Sequence, residues 1–375
     1  MPEIFTSYNN VISSLGFNTE ENLSALLDNR IGVKQHTLGK QQETFCLSLI
    51  DENENLSFPS DSNKNPLTRL EKMSILSIQD VLYKSGLSLT SKNTLLIYST
   101  TKGNIDLLEN NSGFSDDRLY LQSMANTIGN YFCAANKPLV LSNACISGIL
   151  AIINAKRLIA AGQYEHVLVC GGDLVTEFVV SGFKSFNALS PEPCRPFDAN
   201  RIGINIGEAV STLLISNKIT SPSSMKILAG TSANDANHIS GPSRTGEGLL
   251  QAIKNTFKGY GHLTPDIINA HGTATPFNDE MESIAFERAG LTSIPINSLK
   301  GYYGHTLGAA GVMETVITIE AACKNTLLKS AGYECHGVSG KISILKEHLN
   351  SKIGTILKTA SGFGGCNAAA LFTKN

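Results

Sequence analysis

The chain is 375 residues long and 42% hydrophobic, enough for one large domain or two packed halves, which excludes a disordered or fibrous protein. Charged residues make up 17% and the net charge is -2, so no overall field of either sign draws nucleic acid or an anionic membrane. Eight cysteines are scattered with no C-x-x-C pair, which argues against a zinc site and for a reducing compartment.

Residues 1–10 show no basic segment ahead of a long apolar core, so the expectation is a protein without a secretion signal, soluble and cytoplasmic. The most apolar helical stretch, around 149–161, is interrupted by Lys156 and Arg157 and is too short to span a bilayer. A short first strand and Ser13-Ser14-Leu15-Gly16 lead to a polar helix from about Thr19 to Asp28. The region that follows ends in the turn formers of 51–55 and 59–66 and reads as loop. Helical spacing returns over Leu67 to Gly86, where Leu70, Ile75, Ile78 and Val81 make one face, and 93–100 reads as a buried strand. A charged loop runs to Asp117, and a helix from Leu119 to Phe132 follows.

The next stretch organises the rest. Pro138 to Ser142 is an apolar run that stops at Asn143-Ala144-Cys145 and passes through Ile146, Ser147 and Gly148 into an amphipathic helix over 149–159. Cys145 is thus expected at a helix N-terminus, where unpaired N–H groups and the helix dipole favour the thiolate. A lone cysteine is more often a small buried hydrophobe. Here it has company, since His271 in Ile267 to Thr275 and His305 in Lys300 to Gly308 each sit in a glycine-flanked turn after an apolar strand. A cysteine and two histidines, all at carboxyl ends of strands, form an activated-nucleophile constellation.

Strands are expected at 166–172 and 208–216, with a long loop over 187–203 between them, and long loops in compact domains are usually functional. After a polar break near 220–224 come a strand at 225–230, a helix at 246–260, a strand at 266–270, a helix at 279–289, a strand at 294–298 and an apolar helix at 308–323. Two strands, 354–359 and 367–373, close the chain around the glycine turn of 361–366. The order of elements repeats, so the expectation is two topologically similar halves, 1–222 with the cysteine and 223–375 with both histidines. Cys145 and His305 then occupy corresponding elbows and face one another across the junction.

In these motifs the chain resembles the β-ketoacyl-acyl-carrier-protein synthases of the thiolase fold. The likeness rests on Asn143-Ala144-Cys145 to Gly148, Cys194 to Asp198 with Arg201 and Gly207-Glu208, His271 to Thr275 with Asn278-Asp279, Lys300 through His305 to Gly311 with Glu314, and Gly362 to Gly365, in that order. The resemblance implies a layered α-β-α-β-α sandwich. It implies decarboxylative condensation of malonyl-carrier protein with an acyl group held as a thioester on Cys145, extending the chain by two carbons in fatty-acid, polyene or polyketide synthesis. By the same resemblance His271 and His305 act on the malonyl group, and backbone N–H groups of Cys145 and Phe363 form the oxyanion hole. Lys300 tunes the site through its charge and Glu314, with Asp279 in support; Thr273 and Thr275 hydrogen-bond the phosphopantetheine arm, Phe363 gates the acyl pocket, and Gly364 is a further substrate-binding residue. No metal or other cofactor is implied; the partners are acyl carrier protein and a second subunit, identical or related, paired near Pro138 to Ser142. A non-catalytic chain-length-factor-like subunit, and a thiolase-like acyltransferase, are the alternatives.

Each supporting residue has a plainer reading: a solvated surface position for Lys300, turn-making for Thr273 and Thr275, core packing for Phe363, and bracing of the long loop for Arg195 and Arg201. The chain departs from the family pattern in its short polar 50–66 region, in Ser361 where an aromatic is common, in Ala209 where a second glycine is usual, and in Cys366 where threonine is typical. Side chains between Thr101 and Phe132 are expected to set the depth of the acyl pocket. His36, His166, His238, His262, His336 and His348 receive no role.

Overall fold

The computed structural model describes residues 2–39, 42–51, 66–109, 113–238 and 241–374; most of the loop expected at 51–66 lies outside the described residues. In the first half, strands β1 (Phe5–Ser13), β2 (Thr94–Ser99), β3 (Leu139–Leu141), β4 (His166–Asp173) and β5 (Ala209–Ser216) lie in the spatial order β1-β5-β4-β2-β3. In the second half, β6 (Lys226–Asn234), β7 (Ile267–Asn269), β8 (Pro295–Asn297), β9 (Thr355–Gly362) and β10 (Cys366–Thr373) lie in the order β6-β10-β9-β7-β8. The two orders are the same, and so are the senses: the first three strands of each run antiparallel and the last three parallel. Phe5 pairs with Lys226, which joins the halves into one 11-stranded sheet extended at its far edge by Ser343–Ile344.

The helices are α1 (Thr19–Leu27), α2 (Arg69–Ser85), α3 (Leu121–Tyr131), α4 (Ser147–Ala160), α5 (Glu177–Ser185), α6 (Glu247–Thr256), α7 (Pro276–Arg288), the single turn α8 (Lys300–Tyr303) and α9 (Ala310–Cys323). Side chains alternate across a strand, and that period assigns the layers. Val167 and Val169 of β4 face inward onto Ile149 and Ile152 of α4 and Val312 and Val316 of α9. Leu168 and Cys170 face outward onto Leu70 and Met73 of α2. The second half repeats this: Ala368 and Ala370 point to the central layer, whereas Leu357 and Ala369 pack on Leu249 and Ile253 of α6. Both faces are covered, so the strands read as near-continuous apolar runs.

Where the two central helices begin they touch backbone to backbone. A Cβ at Gly148 would stand 2.7 Å from the Val312 nitrogen, and one at Gly311 would stand 2.5 Å from the Ile149 nitrogen. Only glycine permits that approach.

Elements expected from the sequence recur with shifted ends. α2 starts later than expected, because Thr68 and Glu71 form a capping box, and it stops at Gly86 in the left-handed region. α7 starts earlier, because Pro276 at its first turn fits a helix start. Strand β1 is nine residues long rather than short. Its polar Thr6, Asn9 and Asn10 are buried with partners: Thr6 bonds the Met225 carbonyl, Asn9 bonds Glu320, and Asn10 bonds Asp80. Among the elements with no expectation are the hairpin of Lys34–Leu38 with Glu43–Ser48 and helix α5, which Thr176 caps. Among the described residues no helix is long and apolar enough to cross a membrane.

Candidate active site

Between the end of β3 and the start of α4 the chain turns sharply, with Ala144 at φ 45. Ser147 holds the turn, its Oγ donating to the Ala144 carbonyl at 2.6 Å and accepting from the Asn143 N–H at 2.8 Å. Cys145 therefore stands just ahead of α4, buried to 8% exposure.

His271 follows β7. The loop after it is held by two buried carboxylates from α7. Glu282 accepts from the His271 and Gly272 N–H groups at 2.8 and 2.6 Å, and Asp279 accepts from Thr273 at 2.9 Å and Phe197 at 2.6 Å. Burial pushes these acids up, Asp279 to about 6 and Glu282 to about 7. His305 lies between α8 and the turn Leu307–Ala309, where Leu307 has φ 52. Its backbone is fixed on both sides, its N–H donating to Asn205 O at 2.7 Å and its carbonyl accepting from Gly207 N at 3.1 Å.

Beneath the imidazoles lies a buried charge network. Lys300 Nζ donates to the His271 carbonyl at 2.6 Å and pairs with Glu314 Oε1 at 2.7 Å, while Lys358 Nζ takes Glu314 Oε2 at 2.7 Å. Lys300 is 0% exposed, so the solvated-surface reading of this residue is excluded. Glu314 is pushed up by burial, but Lys300 and Lys358 outweigh that and hold it below its ordinary value.

The Cys145 sulfur and a ring nitrogen of each of His271 and His305 lie within 4.8 Å of one another. The two rings meet edge to face at 5.0 Å. Burial, then Lys300, holds both histidines well below the ordinary histidine value, so both are neutral. Neither ring nitrogen of His305 has a hydrogen-bond partner, although both are buried. Such orphaned atoms call for an explanation, and a carbonyl oxygen presented by a ligand supplies one.

The thiolate expected for Cys145 is not the resting state. Burial pushes the thiol up to about 12, against the pull of Lys300 and of the Phe363 N–H at the sulfur. A helix dipole contributes about 0.3–2 kcal/mol, at most about 1.5 pH units, and that is too little to offset desolvation here.

A cavity of about 530 Å³ runs from the surface to these three groups. Thr273 and Thr275 line it, their hydroxyls 2.8 Å apart, and so do Phe363 and Gly364. Phe363 is 38% exposed and rests on Phe183 and Phe186 with centroids at 5.7 and 5.4 Å, which excludes the core-packing reading. Among the described residues none between Thr101 and Phe132 lines this cavity, contrary to expectation; Met124, Ala125 and Ile128 of α3 are buried against α2 instead. Arg201 bonds the carbonyls of Asp198, Gly337 and Pro276 and braces the long loop.

Sequence reasoning missed several residues. Lys358 was hidden in an apolar strand, and Glu282 sat one helical turn beyond the motif at Asn278-Asp279. His238 and Ile202 line the cavity from loops with no pattern of their own, and Phe277 lines it from the first turn of α7. Cys145, His271 and His305 are donor types that metals accept, but two buried lysines beside them oppose a cation.

Residues 80–220 match the beta-ketoacyl synthase, N-terminal domain, and residues 226–334 match the beta-ketoacyl synthase, C-terminal domain. The 3-oxoacyl-[acyl-carrier-protein] synthase 2 of Coxiella burnetii is 30% identical over 250 residues, covering 62% of this chain and 60% of the relative. That of Rhizobium meliloti is 33% identical over 251 residues, covering 62% of this chain and 59% of the relative. The chain thus spans about 60% of the length of the curated relatives it matches. In fold it is similar to a ketosynthase from Xenorhabdus doucetiae solved in complex with its chain length factor, with TM-score 0.85 at 23% identity, over 100% of this chain and 98% of that one.

Proposed function

The chain belongs to the β-ketoacyl synthase family, and from that premise we propose that it is a condensing acyltransferase, joining a malonyl unit to an acyl group held on Cys145 with loss of carbon dioxide. The observation that carries this reading is the convergence of Cys145, His271 and His305 within 4.8 Å at the floor of one cavity.

The first half-reaction begins with an acyl group carried in on a phosphopantetheine arm past Thr273, Thr275 and Phe363. A neutral imidazole takes the thiol proton as the sulfur attacks the thioester carbonyl, so no standing thiolate is needed. The N–H groups of Cys145 and Phe363 receive the oxyanion. The carrier thiol leaves with the proton. In the second half-reaction a malonyl thioester occupies the same channel, and its carbon–carbon bond breaks to release carbon dioxide and an enolate. His271 and His305 donate to the enolate oxygen; being neutral, each carries one N–H for that purpose. The enolate carbon then attacks the Cys145 thioester, and the cysteine sulfur leaves. The charge that a metal would otherwise supply comes from Lys300, and no nucleotide is called for.

Acyl carrier protein is the partner this reading requires. A second ketosynthase-like subunit, identical or related, is the other. Strand β3 ends the sheet with Leu139 44% exposed, an unpaired edge close to the Cys145 turn. The reading places the enzyme in the cytoplasm, in fatty-acid, polyene or polyketide synthesis.

Intact-protein mass spectrometry after incubation with acyl-carrier protein tests the proposal. One acyl adduct is expected, absent in Cys145→Ala, followed by a two-carbon-extended product once malonyl-carrier protein is added. An unmodified wild-type chain would mark a scaffold of the chain-length-factor kind.

A further inference from the structure

Lys358 stands inside β9 between Leu357 and Thr359 and is 0% exposed. A lysine in the middle of a covered strand is rare, and nothing in the condensation chemistry requires a second lysine there. Its ammonium pairs with Glu314 Oε2 at 2.7 Å, donates to the Thr359 carbonyl at 2.9 Å, and lies 3.4 and 3.5 Å from the carbonyls of Asn269 and Ala270. Asn269 and Ala270 immediately precede His271, so the ammonium lies under that histidine's own backbone.

The charges beneath the imidazoles do not cancel. Lys300 and Lys358 share a single carboxylate, that of Glu314. The other groups around the pair are Cys145 at the α4 turn, Glu282 and Asp279 on α7, and Asp173 of β4, which accepts from the Gly308 N–H. Those three acids have backbone N–H partners of their own, and burial raises Glu282 to about 7 and Asp279 to about 6. We propose that Lys358 is a positioning residue: by dividing Glu314 with Lys300 it leaves the Lys300–Glu314–Lys358 cluster with one net positive charge under His271 and His305 that keeps both as neutral hydrogen-bond donors. Burial comes first, and Lys300 and Lys358 add to it, in lowering both histidines. The inference rests on the condensing reading for its purpose but not for its test.

The test follows the imidazole titrations of His271 and His305 in the full-length, nitrogen-15-histidine-labelled protein by NMR, with signals assigned through His→Gln variants. Lys358→Met removes the surplus charge, and both titration midpoints are expected at higher pH. In Lys358→Met/Glu314→Gln the net charge of the cluster is again one positive, and both midpoints are expected back near wild type. Unmoved midpoints in the single variant, or no recovery in the double, overturn the proposal, because a merely structural lysine predicts those results. If Lys358→Met does not fold, Glu314→Gln is expected to move both midpoints to lower pH, and no movement overturns the proposal equally. A condensation assay runs in parallel. In Lys358→Met the acid limb of its pH profile is expected at higher pH and kcat about tenfold lower with KM held. Shifted midpoints in a protein that never condenses would leave the electrostatic role standing and remove the enzymatic reading.

Discussion

The turn that presents Cys145 and the turn that presents His305 are the same device built twice, each leading into a central helix, each with a non-glycine residue forced to positive φ and each crossing the other at a glycine. What surrounds them differs. The cysteine turn is supported by neighbours without charge, Ile146, Ser147 and Ile149, and the Ser147 hydroxyl anchors it. The histidine turn sits among Lys300, Glu314, Lys358 and, through the His271 loop, Glu282 and Asp279. Duplication supplied the frame, and the charge went to one side of it. A thiol in the apolar half stays protonated until substrate arrives, while imidazoles in the charged half stay neutral.

That division is open to direct attack. The largest effect belongs to the apolar side: Cys145→Ala is expected to abolish acyl-adduct formation altogether while the melting temperature hardly moves, as seen by intact mass and thermal denaturation. On the charged side, Glu314→Leu leaves two buried ammonium groups without their carboxylate. A loss of about 3–5 kcal/mol in urea unfolding is expected, and a loss under about 1 would mean the network is hydrated. At the crossing, Gly311→Ala drives a methyl into the Ile149 backbone and is expected to cost about 1–3 kcal/mol by the same measurement.

Two pH experiments probe the contrast more finely. Iodoacetamide labelling of Cys145, followed by peptide mass spectrometry, is expected to climb about tenfold per pH unit from neutrality upward without levelling, as for a thiol near 12. A plateau close to neutrality would show that the helix terminus outweighs burial. His271 and His305 are held well below the usual histidine value, so the unfolded chain takes up their protons first as pH falls. Their contribution to stability is complete above about pH 6.5 and is lost toward their lower folded values, a decline that urea midpoints measured between neutrality and mild acid would record.

The frame was legible in the sequence because covered strands and central helices announce themselves by apolar period, as at 93–100, 166–172 and 308–323. The three side chains of the candidate site were legible because each sits in a turn after a strand, with glycines close by. Residues whose meaning depends on a partner remote in the chain were not: Lys358 pairs with Glu314, 44 residues away, and β1 hid its full length behind Thr6, Asn9 and Asn10, whose partners lie elsewhere. The charge state of Cys145 was misjudged for the same reason, since a helix N-terminus shows in sequence and desolvation by distant neighbours does not.

One consequence follows from the crossing at Gly148 and Gly311. With no side chain between the two backbones, the starts of α4 and α9 are held at a spacing set by direct backbone contact. Phe186, Ile202, Phe277 and their fellows on the wall are thereby released from any duty of alignment. A lineage carrying this frame is free to reshape the wall for a different ligand while the two helix starts stay where they are.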